Sequence, residues 1–362
     1  MEVDQDSKIP EELDKSMIRL RRFLKDKERI SFGKLYKEII KPGICTLCGA
    51  CAASCDVLSI VDGKPKLTGK CKACGVCYNQ CPRTITTSVD LIGQYKSAYT
   101  AKSLLKEVNG QDGGVITSLL TYALDEGLID SAVVTIKSEE KPWKPKSIVA
   151  KTMEDILKSG GSKYTHSLTM EALMKAIKEG SRSIGFVGTP CNINAVHKMQ
   201  NSPYGLLHIF MRANVLKLGL FCMDTFDYDG LNHFLMQKGI TLDSVKEMKI
   251  RKGKIKFYTT ENEYTFDLKE LDLIRSSSCM FCTDLTAERA DISFGSVGSK
   301  EGYTTVLSRT GLGCEIFQEA ADSGYLKFET LEKKDFEKVL YQARIKKVQM
   351  YMIKRRDIVC VY

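Results

Sequence analysis

The sequence predicts an α/β protein, α+β overall, in which a small cysteine-rich module precedes a larger mixed α/β body. Three observations predict it. At 362 residues the chain exceeds the size at which one hydrophobic core usually stops growing. Eight of its 14 Cys fall between Cys45 and Cys81, which marks a metal module joined to something larger. From about residue 93 onward, short apolar runs alternate with helical periodicity, the pattern of a sheet with connecting helices. A hydrophobic content of 43% and a charged content of 27% rule out wholesale disorder.

Residues 1–42 read as a charged helical arm. The first fourteen carry six acids and one Lys, and residues 15–41 carry ten Lys/Arg against three acids. Leu13, Met17, Leu20 and Leu24 mark one face of an amphipathic helix. The favoured reading is a helix packed on its own protein with its charges in water; the alternative is a docking arm for an acidic partner. The acidic N-terminus lacks the apolar core of a signal peptide, and no apolar run approaches the ~20 residues of a membrane span. A reducing cytoplasm is therefore expected. No membrane span is expected either, and peripheral docking is left open.

Residues 43–92 form the cysteine module. It contains Cys45-x2-Cys48-x2-Cys51-x3-Cys55, then Cys71-x2-Cys74-x2-Cys77-x3-Cys81-Pro82. This is the spacing of a bacterial two-cluster ferredoxin, in which the fourth Cys of each run ligates the other cluster. One [4Fe-4S] cluster is expected on Cys45, Cys48, Cys51 and Cys81, the other on Cys71, Cys74, Cys77 and Cys55. Gly follows the second Cys in both copies (Gly49, Gly75), keeping the loop tight. The first copy has Asp56 where the second has Pro82, which loosens that turn without removing a sulfur. Structural zinc also uses Cys-x2-Cys pairs, but tetrahedral zinc does not require eight cysteines in duplicate with triple spacing. Disulfide staples are unneeded in so long a chain.

Residues 93–362 form the larger domain. Helices are expected over 118–124 and 171–178, and strands over 132–136, 184–187 and 216–221. A hairpin is expected over 249–268 around Thr260-Glu261-Asn262, and strand plus glycine loop over 292–299. Cys191 should sit at a strand-to-helix turn, Cys222 at a strand end, and Cys279-x2-Cys282 in a loop after the hairpin. Strand ends of one sheet converge at its carboxyl edge, so these four could form a third site. Taken singly, each is more often a buried structural thiol. Cys314 and Cys360 look like ordinary thiols. Four glycine-containing stretches could approach a phosphate or flavin: Gly110–Gly114, Gly160–Tyr164, Gly185–Cys191 and Gly295–Gly298. None matches a dinucleotide fingerprint or P-loop. Gly113-Gly114 before an apolar helix is the best of them.

Taken in order, the segments 110–134 (GQDGGVITSLLTYALDEGLIDSAVV), 161–164 (GSKY), 188–196 (GTPCNINAV), 219–222 (GLFC) and 279–299 (CMFCTDLTAERADISFGSVGS) resemble the coenzyme F420 hydrogenase/dehydrogenase beta subunit family over about residues 93–330. A ferredoxin module is a common fusion in that family. The resemblance implies a flavin-binding domain holding FAD beside a third [4Fe-4S] cluster on Cys191, Cys222, Cys279 and Cys282, with hydride exchanged with coenzyme F420. It also implies flavin contacts from Gly113, Gly114, Thr117, Ser162, Lys163, Tyr164, Gly188, Thr189, Pro190, Gly295, Ser296, Val297 and Gly298, with Lys163 available to a phosphate.

A flavin fits between a hydride carrier and one-electron clusters because it handles both. No general base is then required, and His166, His197, His208 and His233 are scattered without ligand spacing, so no catalytic side chain is expected. Three clusters at about −2 each would bring the formal charge from +9 to about +3, so nucleic-acid binding does not follow. The expected partners are coenzyme F420 and a redox subunit or ferredoxin. The alternatives are a ferredoxin-dependent flavoenzyme reducing an organic substrate, and a purely electron-carrying iron–sulfur subunit.

Overall fold

The computed structural model describes residues 30–108, 110–201 and 212–352. The arm helix expected on Leu13, Met17, Leu20 and Leu24 lies outside them, as do His208 and Cys360. The chain divides into two compact units, Met1–Thr86 and Thr87–Tyr362.

In the first unit, α1 (Phe32–Leu35) runs directly into a wider π-helical turn over Tyr36–Ile40. Helix α2 (Ala50–Ala53), strands β1 (Leu58–Val61) and β2 (Lys64–Leu67), and helix α3 (Val76–Asn79) follow. The strands pair antiparallel with Leu58 opposite Leu67. Phe32, Leu35, Ile39, Ile40, Leu58 and Tyr78 form a small core together with Cys51 and Cys77. The sequence duplication is repeated in the backbone. Leu47 and Ala73 have φ of 54° and 52°, and Gly49 and Gly75 have φ of 79° and 78° immediately before α2 and α3. A left-handed residue is cheapest as glycine, which explains the Gly after the second Cys of each copy.

The second unit begins with α4 (Ser88–Ile92), whose Thr87 and Asp90 form a reciprocal capping box, and strand β3 (Ser97–Ser103). Helix α5 (Val115–Asp125) starts where Gly114 adopts a left-handed conformation, three residues before the expected start. Then come β4 (Ser131–Lys137), β5 (Pro145–Ala150), α6 (Met153–Lys158), α7 (Thr169–Lys178), β6 (Ser183–Gly188), α8 (Pro190–Asn201) and β7 (Asn214–Leu220). Helix α9 (Tyr228–Gln237) leads into β8 (Val245–Arg251), β9 (Lys254–Thr259) and β10 (Glu263–Asp267). Strands β11 (Ile292–Gly295) and β12 (Thr304–Ser308), helix α10 (Gly311–Asp322), strand β13 (Leu326–Thr330) and helix α11 (Lys333–Val348) follow, with a 3-10 turn over Gln349–Met352 after them.

Eight strands form one sheet in the order β13-β3-β12-β11-β7-β6-β4-β5. Strands β4, β6, β7 and β11 are parallel neighbours. Strand β12 is antiparallel to both β11 and β3, so β3 runs with the parallel set. All five present their carboxyl ends to one edge. Both faces are covered, so central strands carry apolar side chains on both sides. Ala132 and Val134 of β4 pack with Leu119, Leu120 and Phe317 on one face. Val133 packs with Leu173, Ile177 and Ile193 on the other.

A second, three-stranded antiparallel sheet, β10-β9-β8, packs with α9 around Leu235, Met248, Ile255 and Phe257. The expected hairpin over 249–268 is confined to β9 and β10, paired around residues 260–262. Residues 249–251 belong to β8 because Lys252-Gly253, both at positive φ, make a further tight turn.

Candidate functional site

Every cysteine among the described residues is a free thiol. In the first unit, Cys45, Cys48, Cys51 and Cys81 line one cavity together with Gly49 and Pro65. Cys77 faces Cys55, Cys71 and Cys74; burial first, then these three sulfurs, pushes its thiol up to about 11. The fourth Cys of each run therefore lies with the first three of the other, the crossed set expected of two cubanes. Burial also raises Cys51, with Cys45 and Cys48 adding. The Phe32 and Ala73 amides lower Cys71, and Ala73 N lies 3.4 Å from its sulfur. Soft sulfur donors in fours fit an iron–sulfur cluster, and thiols that resist ionisation when bare are deprotonated by the metal they bind. Among the described residues, no three Cys, His, Asp or Glu are disposed around a single ion. A cubane, with four irons, spreads its thiolates wider than one ion does.

The second unit brings Cys191, Cys222, Cys279 and Cys282 to the carboxyl edge of the large sheet. Cys191 lies in the first turn of α8, after β6, with its sulfur 3.1 Å from Thr189 Oγ1. Cys222 lies two residues beyond β7, its amide bonded to the Leu285 carbonyl at 2.8 Å. Cys279 lies in a 3-10 turn over Ser277–Phe281, and Cys282 closes that turn. Burial pushes the Cys222 thiol far above its usual range; Lys346 pulls it back, while Cys191, Cys279 and Cys282 push it further. The four sulfurs thus share one site, and the donor set fits a cubane there too. Taken singly these residues read as ordinary buried thiols, and only the sheet topology collects them.

The glycine loops lie on the same edge. Gly113, beyond β3, passes so close to β3 and β12 that a Cβ there would meet Ala101 O at 2.6 Å and Thr304 Oγ1 at 2.8 Å. Its amide donates to Thr304 Oγ1 at 3.1 Å. Gln111 joins this loop to residues 162–164: its Nε2 donates to Tyr164 Oη at 3.0 Å, and its Oε1 accepts from the Ser162 amide at 3.3 Å. Tyr164 Oη also accepts from the Ile250 amide of β8 at 3.1 Å. Burial pushes its phenol up to about 12, so it stays a neutral strut. Thr117 is buried in the first turn of α5. Thr165 Oγ1, beside Tyr164, is buried without a hydrogen-bond partner, as a polar ligand group would require. Gly188, Thr189 and Pro190 make the β6-to-α8 turn, where Thr189 Oγ1 donates to Asn192 Oδ1 at 2.7 Å. In the β11 loop, the Val297 carbonyl accepts from Thr305 Oγ1 at 2.7 Å. Gly295, Ser296 and Gly298 flank it. Gln111, Gly113 and Tyr164 thus tie the 110–114 loop, residues 162–164, β8 and β12 into one wall, while the β6-to-α8 turn and the β11 loop follow strands of the same sheet edge.

Lys163 is a correction. Its ammonium donates to the carbonyls of Ser159, Gly160 and Gly161 at 2.6, 3.1 and 3.1 Å. All three donors are used inside its own loop, leaving none for a phosphate. A cation that does reach this wall is Arg251, partly buried and paired with Asp112 at 3.2 Å and Glu301 at 3.1 Å, which sequence inspection missed because the partners are far apart in the chain. His166 was also missed. Residue 165 bridges to residue 226, which sets His166 Nε2 at 2.8 Å from Thr225 Oγ1, and that hydroxyl lies 3.5 Å from Cys279 Sγ. The wall thus runs directly into the four-cysteine site.

Fold and site together define a cysteine-rich redox protein with an α/β cofactor body. Residues 98–174 match the N-terminal model, and residues 181–334 the C-terminal model, of the coenzyme F420 hydrogenase/dehydrogenase beta subunit. The chain belongs to that family. It is 38% identical to the coenzyme F420 hydrogenase subunit beta of Methanothermobacter thermautotrophicus, over 67% of this chain and 87% of that one. It is 36% identical to the coenzyme F420-dependent sulfite reductase of Methanocaldococcus jannaschii over 88% of its own length, and spans about half of that relative, 52%. A chain of the F420-reducing [NiFe] hydrogenase complex from Methanosarcina barkeri superposes with a TM-score of 0.69 at 36% identity, covering 72% of this chain and 92% of that one. Among the described residues, no helix is long and apolar enough to cross a membrane.

Proposed function

We propose that the chain is a coenzyme F420-dependent oxidoreductase with FAD against the glycine-loop wall. The glycine loops would hold FAD, which would supply hydride exchange with coenzyme F420, and the twelve cysteines would hold three [4Fe-4S] clusters, which would supply single-electron transfer to or from a partner subunit. The observation that carries this reading is the continuity of the wall with the four-cysteine site through His166, Thr225 and Cys279. Flavin supplies the interchange between two-electron hydride and one-electron transfer. The chain's own residues do the rest. Gln111 and Tyr164 fix two loops and β8 as one surface, so a ring system laid on it would be held in one orientation. The four sulfurs bind at the end of that surface. On this reading no side chain need move a proton. The names of the relatives, a hydrogenase subunit and a sulfite reductase, support a redox partner that completes the reaction.

Reduced coenzyme F420, added without oxygen to protein carrying flavin and clusters, should bleach the flavin band within mixing time. Protein with both cofactors that leaves the band unchanged would remove coenzyme F420 as substrate and favour the organic-substrate alternative.

A further inference from the structure

Helix α11 carries a lysine where a surface helix has no need of one. Val339, Ala343 and Lys346 share its buried face, and Lys346 is only 1% exposed. A charge taken out of water persists only when paired and hydrogen-bonded, so its partners show what it does. The ammonium donates to the Met223 carbonyl and, at 3.2 Å, to the Cys279 carbonyl, and lies 3.5 Å from the Asp224 carboxylate. Gln349, three residues on, donates to the carbonyls of Cys279 at 2.8 Å and Cys282 at 2.6 Å. The last turn of α11 and the turn after it thus grip both loops that present Cys222, Cys279 and Cys282.

The surrounding charges are largely engaged elsewhere, although Asp284 opposes the lysine at Cys282. Asp224 is shared with Arg275 at 3.4 Å, and Arg275 also holds Asp272, whose side chain is 55% exposed and screened by water. The buried Asp284 carboxylate is turned to the amides of Thr286 and Glu288, both at 3.0 Å. Lys346 is left as the buried cation facing the sulfurs of Cys222 and Cys282.

We propose that Lys346 is a positioning residue for the third four-cysteine site, tying its two loops together and, through its fixed positive charge, making the cluster held there easier to reduce. The inference rests on the third cluster proposed above. A cluster bound by four thiolates gains one negative charge with each electron, and its potential follows local charge and hydrogen bonding. In this step one electron enters the cluster, no bond forms or breaks, and no proton is required. Asp224 should act with the opposite sign.

The test is a potentiometric titration of the full-length protein, prepared without oxygen and followed by electron paramagnetic resonance, with the third cluster identified as the signal lost in Cys222→Ser. Lys346→Met should make that cluster about tenfold less reduced at a given ambient potential, which is 59 mV for a one-electron couple. Lys346→Arg should restore most of the shift, and Asp224→Asn should move it the other way. An unchanged potential in Lys346→Met with the signal intact would overturn the proposal. So would shifts of the same sign in Lys346→Met and Asp224→Asn, or loss of the third cluster from both, which would make the two residues loop pillars only. If wild-type protein holds only about eight irons and shows no third signal, the reading beneath the inference fails instead.

Discussion

Tyr164 shows how much of the site rests on single atoms. Its hydroxyl joins Gln111 to the Ile250 amide, so Tyr164→Phe leaves a part-buried donor without an acceptor. The expected cost is about 1–3 kcal/mol, read from denaturant unfolding, with weaker flavin retention. An unchanged midpoint would show that the strut is dispensable. Lys163 makes a pH-dependent contribution. Burial first, then the nearby Lys137 charge, pulls its pKa down from 10.5 to about 8. Between those values the unfolded chain binds more protons than the folded one, so stability should rise with pH across that window. Comparison of wild type with Lys163→Met by urea unfolding at pH 8 and 10 checks the sign: the gap between them should shift in favour of wild type at the higher pH. The two groups of cysteines in the first unit were legible in the sequence because their members are set by local spacing. Lys346 was not, because its partners Met223 and Cys279 lie 123 and 67 residues away and nothing near it in the chain signals burial.

At the scale of elements, legibility followed burial pattern. Strands β6 and β7 announce themselves as apolar runs and were found within a residue or two. Strand β3, with the sequence SAYTAKS, is mostly half-buried, and neither its composition nor its alternation separates it from a loop. That strand, with β12, forms the surface against which Gly113 lies, so the tight approach of the glycine loop was invisible until the sheet order was known. The three-stranded sheet was read as a hairpin for a similar reason: the second turn, at Lys252-Gly253, carries no pattern that outweighs the continuous β-rich run. This small sheet delivers Ile250 and Arg251 to the wall, and Phe257 at its centre is fully buried. Phe257→Ala should cost about 3–5 kcal/mol and lower flavin occupancy. Hydrogen exchange should show β8–β10 and the Tyr164 loop loosening together; loosening of the sheet with the loop unchanged would uncouple the two.

The whole molecule combines two units, each with its own core, and cysteines arranged to different rules. In the first unit the grouped cysteines lie close along the chain; in the second they come from three separate segments gathered by a parallel sheet edge. Loss of a ligand should therefore act within its own unit. Cys45→Ser should remove about four irons and leave flavin occupancy near wild type. Cys222→Ser should remove the same number and weaken the flavin, because its site adjoins the Tyr164–His166 segment. Flavin loss in Cys45→Ser with retention in Cys222→Ser would reverse the assignment.

The most direct test of the account is the quantity of iron and acid-labile sulfide per chain in protein kept from oxygen throughout. Three sites of four thiolates each predict about twelve of each. Zinc in place of iron, or iron without sulfide, would contradict it.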